Sequence, residues 1–360
     1  MVNDVLTNLD QVSPEWLTAV LLRSGALARG TVTGFEVGTG RGNWSTNGTL
    51  HLCYSPDSAG ERPARLFLKM VDTDLGDGEY FGPSEVDYYT RDYLDVPDAP
   101  LLRCYDGRYS PALRRYHLLL EDVSPSHVVA GSKTPTLAYG LALADAFAAL
   151  HARWWGPDQL AESGAPIHDA AHIRRFVAIA EPGLDPILTC CAANLEPHWP
   201  LALHELFARL PDTLIARADD LNGYTLFHGD AGENNILVPR DGDRPLYVID
   251  RQPFDWSLTT GLGAYDFAYA LVLDWPVELR RAWEEPVLRR YHAELLRRGV
   301  SGYSWEQLWG DYRLCIALCV TIPVEYCRGG LNERWLPVWL LMLQRVVAAC
   351  DDLAVMEVVR

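Results

Sequence analysis

The chain has 360 residues, 49% of them hydrophobic, and a formal net charge of −17. That length suits two or three structural units or one bilobal domain, and the apolar share is ample for a packed core, which excludes wholesale disorder. The acidic balance argues against nucleic acid and anionic membranes as partners, because phosphates would be repelled.

The N-terminal "SPEWLTAVLLRSG" predicts a helix: Ser13 can cap it, Pro14 suits its first turn, Glu15 faces the positive end of the dipole and Gly25 stops it. Nothing there resembles a signal peptide, and no segment approaches ~20 uninterrupted apolar residues, so a cytoplasmic protein without membrane spans is expected. Strands follow at Thr31–Val37, Thr49–Ser55 and Ala64–Met70, the last with Leu66, Leu68 and Met70 on one face and Lys69 on the other. Gly82–Leu94 reads as a helix with Ser84 as cap, and Arg114–Val123 as a buried strand. A Ser/Pro/Gly stretch from Val123 to Pro135 marks a boundary. Beyond it, Thr136–Trp155, "AHIRRFVAIA" and "LALHELFARL" are helical, a short β region returns between Tyr224 and Asp250, and helices dominate from Ala264 onward. The expected fold class is α+β, bilobal, with a small β-rich lobe over 1–123 and a larger, mainly helical lobe over 124–360. The 8 cysteines contain no C-x-x-C pair, and buried reduced thiols are expected.

The chemistry concentrates in "YTLFHGDAGENNILVPRDGDRPLYVIDRQ". Apolar runs flank a polar loop, "PRDGDRP" is a turn, and "LYVID" is another apolar run. A hairpin of Ile236–Val238 with Leu246–Ile249 sets Asn235 roughly opposite Asp250, both at the end near Asp230. Asp and Asn oxygens without Cys or His favour a hard cation such as Mg²⁺, which takes few protein ligands and completes its shell with water and phosphate. Asp230 then stands where it can orient a hydroxyl and accept its proton.

The pattern H-x-D-x-x-x-x-N followed by an Asp resembles the catalytic and metal motifs of the protein-kinase-like fold. The "HGD" form is similar to the aminoglycoside phosphotransferase and choline kinase branch. "HGD…ENNILV", "VIDRQ" and "PEWLTAVLLRSG" together look most like the ecdysteroid kinase-like phosphotransferases, with Arg251 standing where those often carry Phe. The resemblance implies ATP and Mg²⁺ as cofactors, Asp230 as catalytic base, and Asn235 and Asp250 as metal ligands. It implies that Lys69 contacts the nucleotide phosphates and pairs with Glu85. "GTGRGN" stands where a phosphate-covering loop belongs, with Gly38, Gly40, Gly42 and Asn43 offering backbone N–H groups and Arg41 a charge. Leu120 to Val123, including Asp122, would be the hinge that meets the adenine, and Asp266 would brace the catalytic loop.

Plainer roles stand beside these. His228 reads as scaffold, Glu233 as solvated, and His151 as a packed helix residue. "AGSKT" lacks the Gly that a P-loop carries before its Lys, and "DTDLGDGE" fails calcium-loop spacing and reads as a solvated loop. The expected activity is phosphoryl transfer from ATP to the hydroxyl of a small molecule: an antibiotic, as in antibiotic resistance, a sugar, an amino-alcohol or a steroid-like alcohol. A catalytically silent nucleotide-binding module is the alternative. A protein kinase is disfavoured, since Asp250 to Asp266 is short for an activation segment and no A-P-E follows. Glu325, Tyr326 and Arg328 are the candidate acceptor contacts, with Trp256, Trp275 and Trp309 as candidate stacking surfaces.

Overall fold

The computed structural model describes residues 5–41, 45–76 and 79–359. The N-terminal part is a five-stranded antiparallel sheet of β1 (Val32–Arg41), β2 (Ser45–Tyr54), β3 (Arg65–Asp72), β4 (Cys104–Ser110) and β5 (Arg115–Glu121), in the order β1-β2-β3-β5-β4. Helix α1 (Pro14–Arg23) covers one face, and Ser13 caps it by accepting from Trp16 N at 3.2 Å. Side chains alternate across a strand. Leu66, Leu68 and Met70 of β3 therefore pack with Leu17, Val20 and Leu21 of α1 in a small core, while Phe67 and Lys69 face the other way.

That other face receives α2 (Ser84–Thr90). Ser84 is not the cap: Pro83 holds that position, and Ser84 is the first helical residue. The helix stops at Thr90, well short of the expected Leu94. The acidic stretch read as a solvated loop is also more ordered than expected, since Asp74–Gly76 pairs with Glu79–Tyr80.

The C-terminal part is helical around small sheets. Helix α3 (Leu137–Arg153), capped by Thr136, lies along α5 (Val277–Arg297). Phe147 is its fully buried centre, edge-on to Phe267 at 5.1 Å and stacked on His151 at 5.5 Å. Two strands of this part were not legible in the sequence, as β4 was not in the N-terminal part. β6 (His127–Val129) runs inside the boundary stretch and pairs with β8 (Ile236–Pro239), and β10 (Thr260–Leu262) pairs with β7 (Tyr224–Leu226). β8 also pairs with β9 (Tyr247–Val248), with Ile236 opposite Val248. Helix α4 (Ala264–Phe267) continues into a π-helical turn, Ala268–Leu273. The last long helix is α6 (Leu336–Asp352). All 8 cysteines are free, five of them buried. No helix among the described residues is long and apolar enough to cross a membrane.

Phe147 is the most informative core position, because its ring joins α3 to the helix that carries Asp266. Phe147→Ala is expected to destabilise the protein by about 3–5 kcal/mol, the range for truncating a buried aromatic. Denaturant unfolding measures this, and a loss under about 1 kcal/mol would mean the site collapses without leaving a cavity.

Candidate active site

A cavity of about 920 Å³ lies between the sheet and the helices, lined by Phe67, Lys69 and Leu120 on one side and by Asp230, Asn235 and Asp250 on the other. Lys69 is buried at its rim. Its Nζ donates to both carboxylate oxygens of Glu85 at 2.8 Å and to Asp250 Oδ1 at 2.6 Å. Burial alone would lower the lysine's pKa, but the two facing carboxylates reverse that and hold it above its ordinary value. Glu85 is itself held from behind: Tyr116 Oη donates to its Oε2, and Gln252 Nε2 donates to Tyr116 Oη.

The hairpin geometry drawn from the sequence holds to within one residue. Ile249 N donates to Asn235 O at 2.9 Å, so Asn235 faces Ile249 and Asp250 follows. Asp250 adopts φ +67°, a left-handed conformation unusual for a residue other than Gly and costly unless its surroundings impose it. Arg251 imposes it. This buried guanidinium donates to Phe227 O at 3.0 Å through Nε and to Ser84 Oγ through Nη1. Arg251 therefore ties the turn after β9 to both the polar loop after β7 and the start of α2.

The polar loop between β7 and β8 is suspended from α4. Asp266, fully buried, accepts from His228 N and Gly229 N at 2.8 Å each and lies 3.0 Å from His151 Nε2. Burial opposes its ionisation, but the His151 contact and these N–H donors outweigh it and hold the carboxyl below its usual range. Gly229 takes φ +84°, which the reversal between His228 and Asp230 requires. His228 is scaffold: Nε2 meets Ile249 O at 2.9 Å, and Nδ1 accepts from Asp230 N at 3.3 Å. Desolvation lowers its pKa, so the ring is neutral with its proton on Nε2. Asp230 opens to the cavity but is walled in by protein. Desolvation raises its pKa, with Asp250 adding to the rise while Tyr269, His228 and Asn235 oppose it. Asn235 Nδ2 donates to Asp230 Oδ2 at 2.9 Å, leaving the amide oxygen available as a ligand.

The remaining candidates divide. Gly38 to Arg41 end β1, whereas Gly42 and Asn43 lie outside the described residues. Leu120 lines the cavity, but the Asp122 carboxylate turns to Arg65, which donates to it at 3.0 Å. Tyr326 lines the cavity, and Glu325 lines an adjoining one of about 120 Å³ that also opens on Asp230. Arg328 instead spans to Glu79 at 2.6 Å, bridging the two halves of the molecule. Trp256 reaches the smaller cavity. Trp275 packs against Tyr139 and Trp283, and Trp309 against Trp305 and Tyr312. Glu233 is half-buried on the cavity wall rather than solvated.

Sequence reasoning missed Tyr269, Asp274, Trp335, Trp339 and Arg345, all on that wall. Tyr269 and Asp274 come from the π-turn and its end, where an extra residue per turn redirects side chains and often marks functional sites. The available signal was the polar Asp at the end of "AYALVLD".

No family model and no curated protein matches the chain. Among solved structures it is similar to an ethanolamine kinase of Plasmodium vivax, at 11% identity over 89% of this chain and 83% of that one, TM-score 0.55. It is also similar to a glucosamine kinase (14%, 98% and 90%, TM-score 0.51) and to a spectinomycin phosphotransferase in complex with ADP and spectinomycin (12%, 95% and 99%, TM-score 0.51). The chain shares their bilobal kinase-like fold. The finer likeness to ecdysteroid kinase-like phosphotransferases rests on sequence motifs alone.

Asp274 offers a direct measurement on this wall. Its Oδ2 accepts from Glu233 N at 2.7 Å, and desolvation, reinforced by the Glu233 charge, pushes its pKa from 3.8 up to about 8. The folded protein keeps that proton where the unfolded chain loses it, so its contribution to stability declines as pH rises through this window. Asp274→Asn, neutral at every pH, is expected to match the wild type near pH 4 and to exceed it increasingly toward pH 8. Urea unfolding across that range reads the gap, and a gap independent of pH would contradict the shift.

Proposed function

We propose that the protein is an ATP-dependent kinase that phosphorylates a hydroxyl of a small molecule. The observation that carries this reading is one cavity that brings a carboxylate-held lysine, Lys69, together with Asp230, Asn235 and Asp250. The fold shared with three small-molecule kinases, one of them in complex with ADP, supports it.

Each side chain has a role that its surroundings favour. Lys69 is protonated and held at the mouth of the cleft by Glu85, suited to a phosphate oxygen. Asp230 is accessible, fixed by Asn235, and basic enough by desolvation to take a hydroxyl proton as the transfer proceeds. The acceptor oxygen forms a bond to the γ-phosphorus, the bond from that phosphorus to the bridging oxygen breaks, and ADP leaves with the electron pair. Asp250 and Asn235 present one carboxylate and one amide oxygen, which fits a hard divalent cation completed by water and phosphate. Mg²⁺ so held would neutralise charge on the phosphates. The Lys69 ammonium also donates to Asp250. The strained backbone of Asp250 is consistent with a residue kept for this purpose rather than for stability.

The test measures ADP formation from Mg·ATP over a panel of alcohols that includes ethanolamine, glucosamine and spectinomycin. Asp230→Asn is expected to lower turnover by about 10²–10⁴-fold, the usual worth of a positioned general base, while calorimetry still shows Mg·ATP binding. Lys69→Met is expected to cost about 10²–10³-fold, as for other preorganised charge contacts, and chelation by EDTA to abolish turnover. An Asp230→Asn protein with full activity would falsify the base assignment. Mg·ATP binding with no turnover on any acceptor would favour a silent nucleotide-binding module.

A further inference from the structure

The two halves of the molecule also meet through contacts separate from those of Lys69 and Arg251. Asp74–Gly76 and Glu79–Tyr80 form a small hairpin of their own, and Phe81 N closes its base by donating to Thr73 O at 2.9 Å. This hairpin reaches the segment after Gln252. Phe81 and Phe254 form an isolated antiparallel bridge with ring centroids 5.0 Å apart, and Asp255 N donates to Tyr80 O at 3.1 Å. Phe254 in turn stacks on Trp256 at 4.9 Å. One ion pair is added to this apolar contact. Glu79 Oε1 accepts from Arg328 Nη2 at 2.6 Å and from Trp256 Nε1 at 3.2 Å. The guanidinium lies over the Trp256 ring, 5.3 Å from its centroid, and its Nε reaches Glu325 Oε1 at 3.0 Å.

The same residues wall the cavities. Phe81 lines the larger one, Trp256 and Glu325 the smaller, and Asp230, Phe254 and Tyr326 line both. The hairpin is therefore packed against the wall that the two cavities share beside Asp230. The strength of this contact suits a part that opens. Glu79 and Arg328 are 31% and 30% exposed, and a pair so open to water favours its closed form by about fivefold at most, less as salt screens it. Lys69 is different: it is buried between two carboxylates, and breaking that contact would strand charges away from water. The hairpin pairs with no strand of the five-stranded sheet, so it can move without breaking a sheet ladder. Phe81 and Lys69 line one cavity, so lifting the hairpin opens the space proposed above for the nucleotide.

We propose that the Glu79–Arg328 pair is a latch: closed, it holds the hairpin against Phe254 and Trp256, and its opening sets how fast a bound nucleotide leaves. The role in nucleotide release rests on the kinase reading above, whereas the holding of the hairpin does not.

Two rates are measured on the full-length protein. One is amide hydrogen exchange in Pro253–Leu258, which contains the Asp255 N–H held by Tyr80 O. The other is dissociation of mant-ADP, a fluorescent ADP analogue, in the presence of Mg²⁺. Glu79→Gln and Arg328→Met are each expected to raise both rates about three- to fivefold, as suits a partly exposed pair. The double variant is expected to rise no further, because either substitution already opens the latch. Salt at about 0.5 M NaCl is expected to speed hydrogen exchange in the wild type and to leave the double variant unchanged. Wild-type rates in both single variants, or effects that add in the double variant, overturn the latch. Faster hydrogen exchange with unchanged mant-ADP release overturns the role in nucleotide release. A wild-type protein that binds no mant-ADP removes the kinase reading and that role with it, and hydrogen exchange alone then decides whether the pair holds the hairpin.

Discussion

A buried ammonium organises this molecule. Lys69 stands between Glu85 and Asp250, and its three hydrogen bonds to them draw three separate pieces of chain to one point: the central strand, the helix behind it and the turn after β9. Removing these charges from water is expensive, and their mutual attraction repays it only if the geometry is maintained. The surrounding structure maintains it. Tyr116 and Gln252 secure Glu85, and Arg251 secures both Ser84 and the start of the polar loop after β7. The consecutive residues Asp250, Arg251 and Gln252 thus each reach across to the sheet or to α2, so the two halves of the protein are joined at the place where the chemistry is proposed.

The loop that carries Asp230 is held on the opposite side by one short helix and its π-turn. Asp266 takes the backbone N–H groups of His228 and Gly229, and Asp274 takes that of Glu233. Both carboxylates reach the same loop from either side of the π-turn at Ala268–Leu273. Asp230 can then remain open to the cavity, since its backbone is fixed by neighbours rather than by its own side chain. Preorganisation of this kind is what phosphoryl transfer most needs from a protein, because positioning supplies most of the rate.

Much of the architecture was legible because local patterns agreed with the global fold. The alternation in β3 placed Lys69 opposite the small core, the "PRDGDRP" turn set the hairpin to within one residue, and Ser13 and Thr136 capped the helices they precede. Several of the misreadings share a cause. β6 and β10 have three residues each, too short to show a period, and they exist only because β8 and β7 lie beside them. Ser84 looks like a cap by composition, but its hydroxyl is claimed by Arg251 from far along the chain. Arg328 looked like an acceptor contact, and an ion pair to Glu79 took it elsewhere.

The order of Lys, Glu, H-x-D, Asn and Asp along the chain carried the fold, through the family resemblance of those motifs, and suggested the class of reaction proposed above. The cavity wall formed by α6 could not be read the same way. Trp335 and Val338 look in sequence like the core residues that Leu343 and Val346 are, since an amphipathic pattern records which face is apolar and not whether that face is covered. Only the folded chain decides that, by packing one part of α6 and leaving the other open above Asp230.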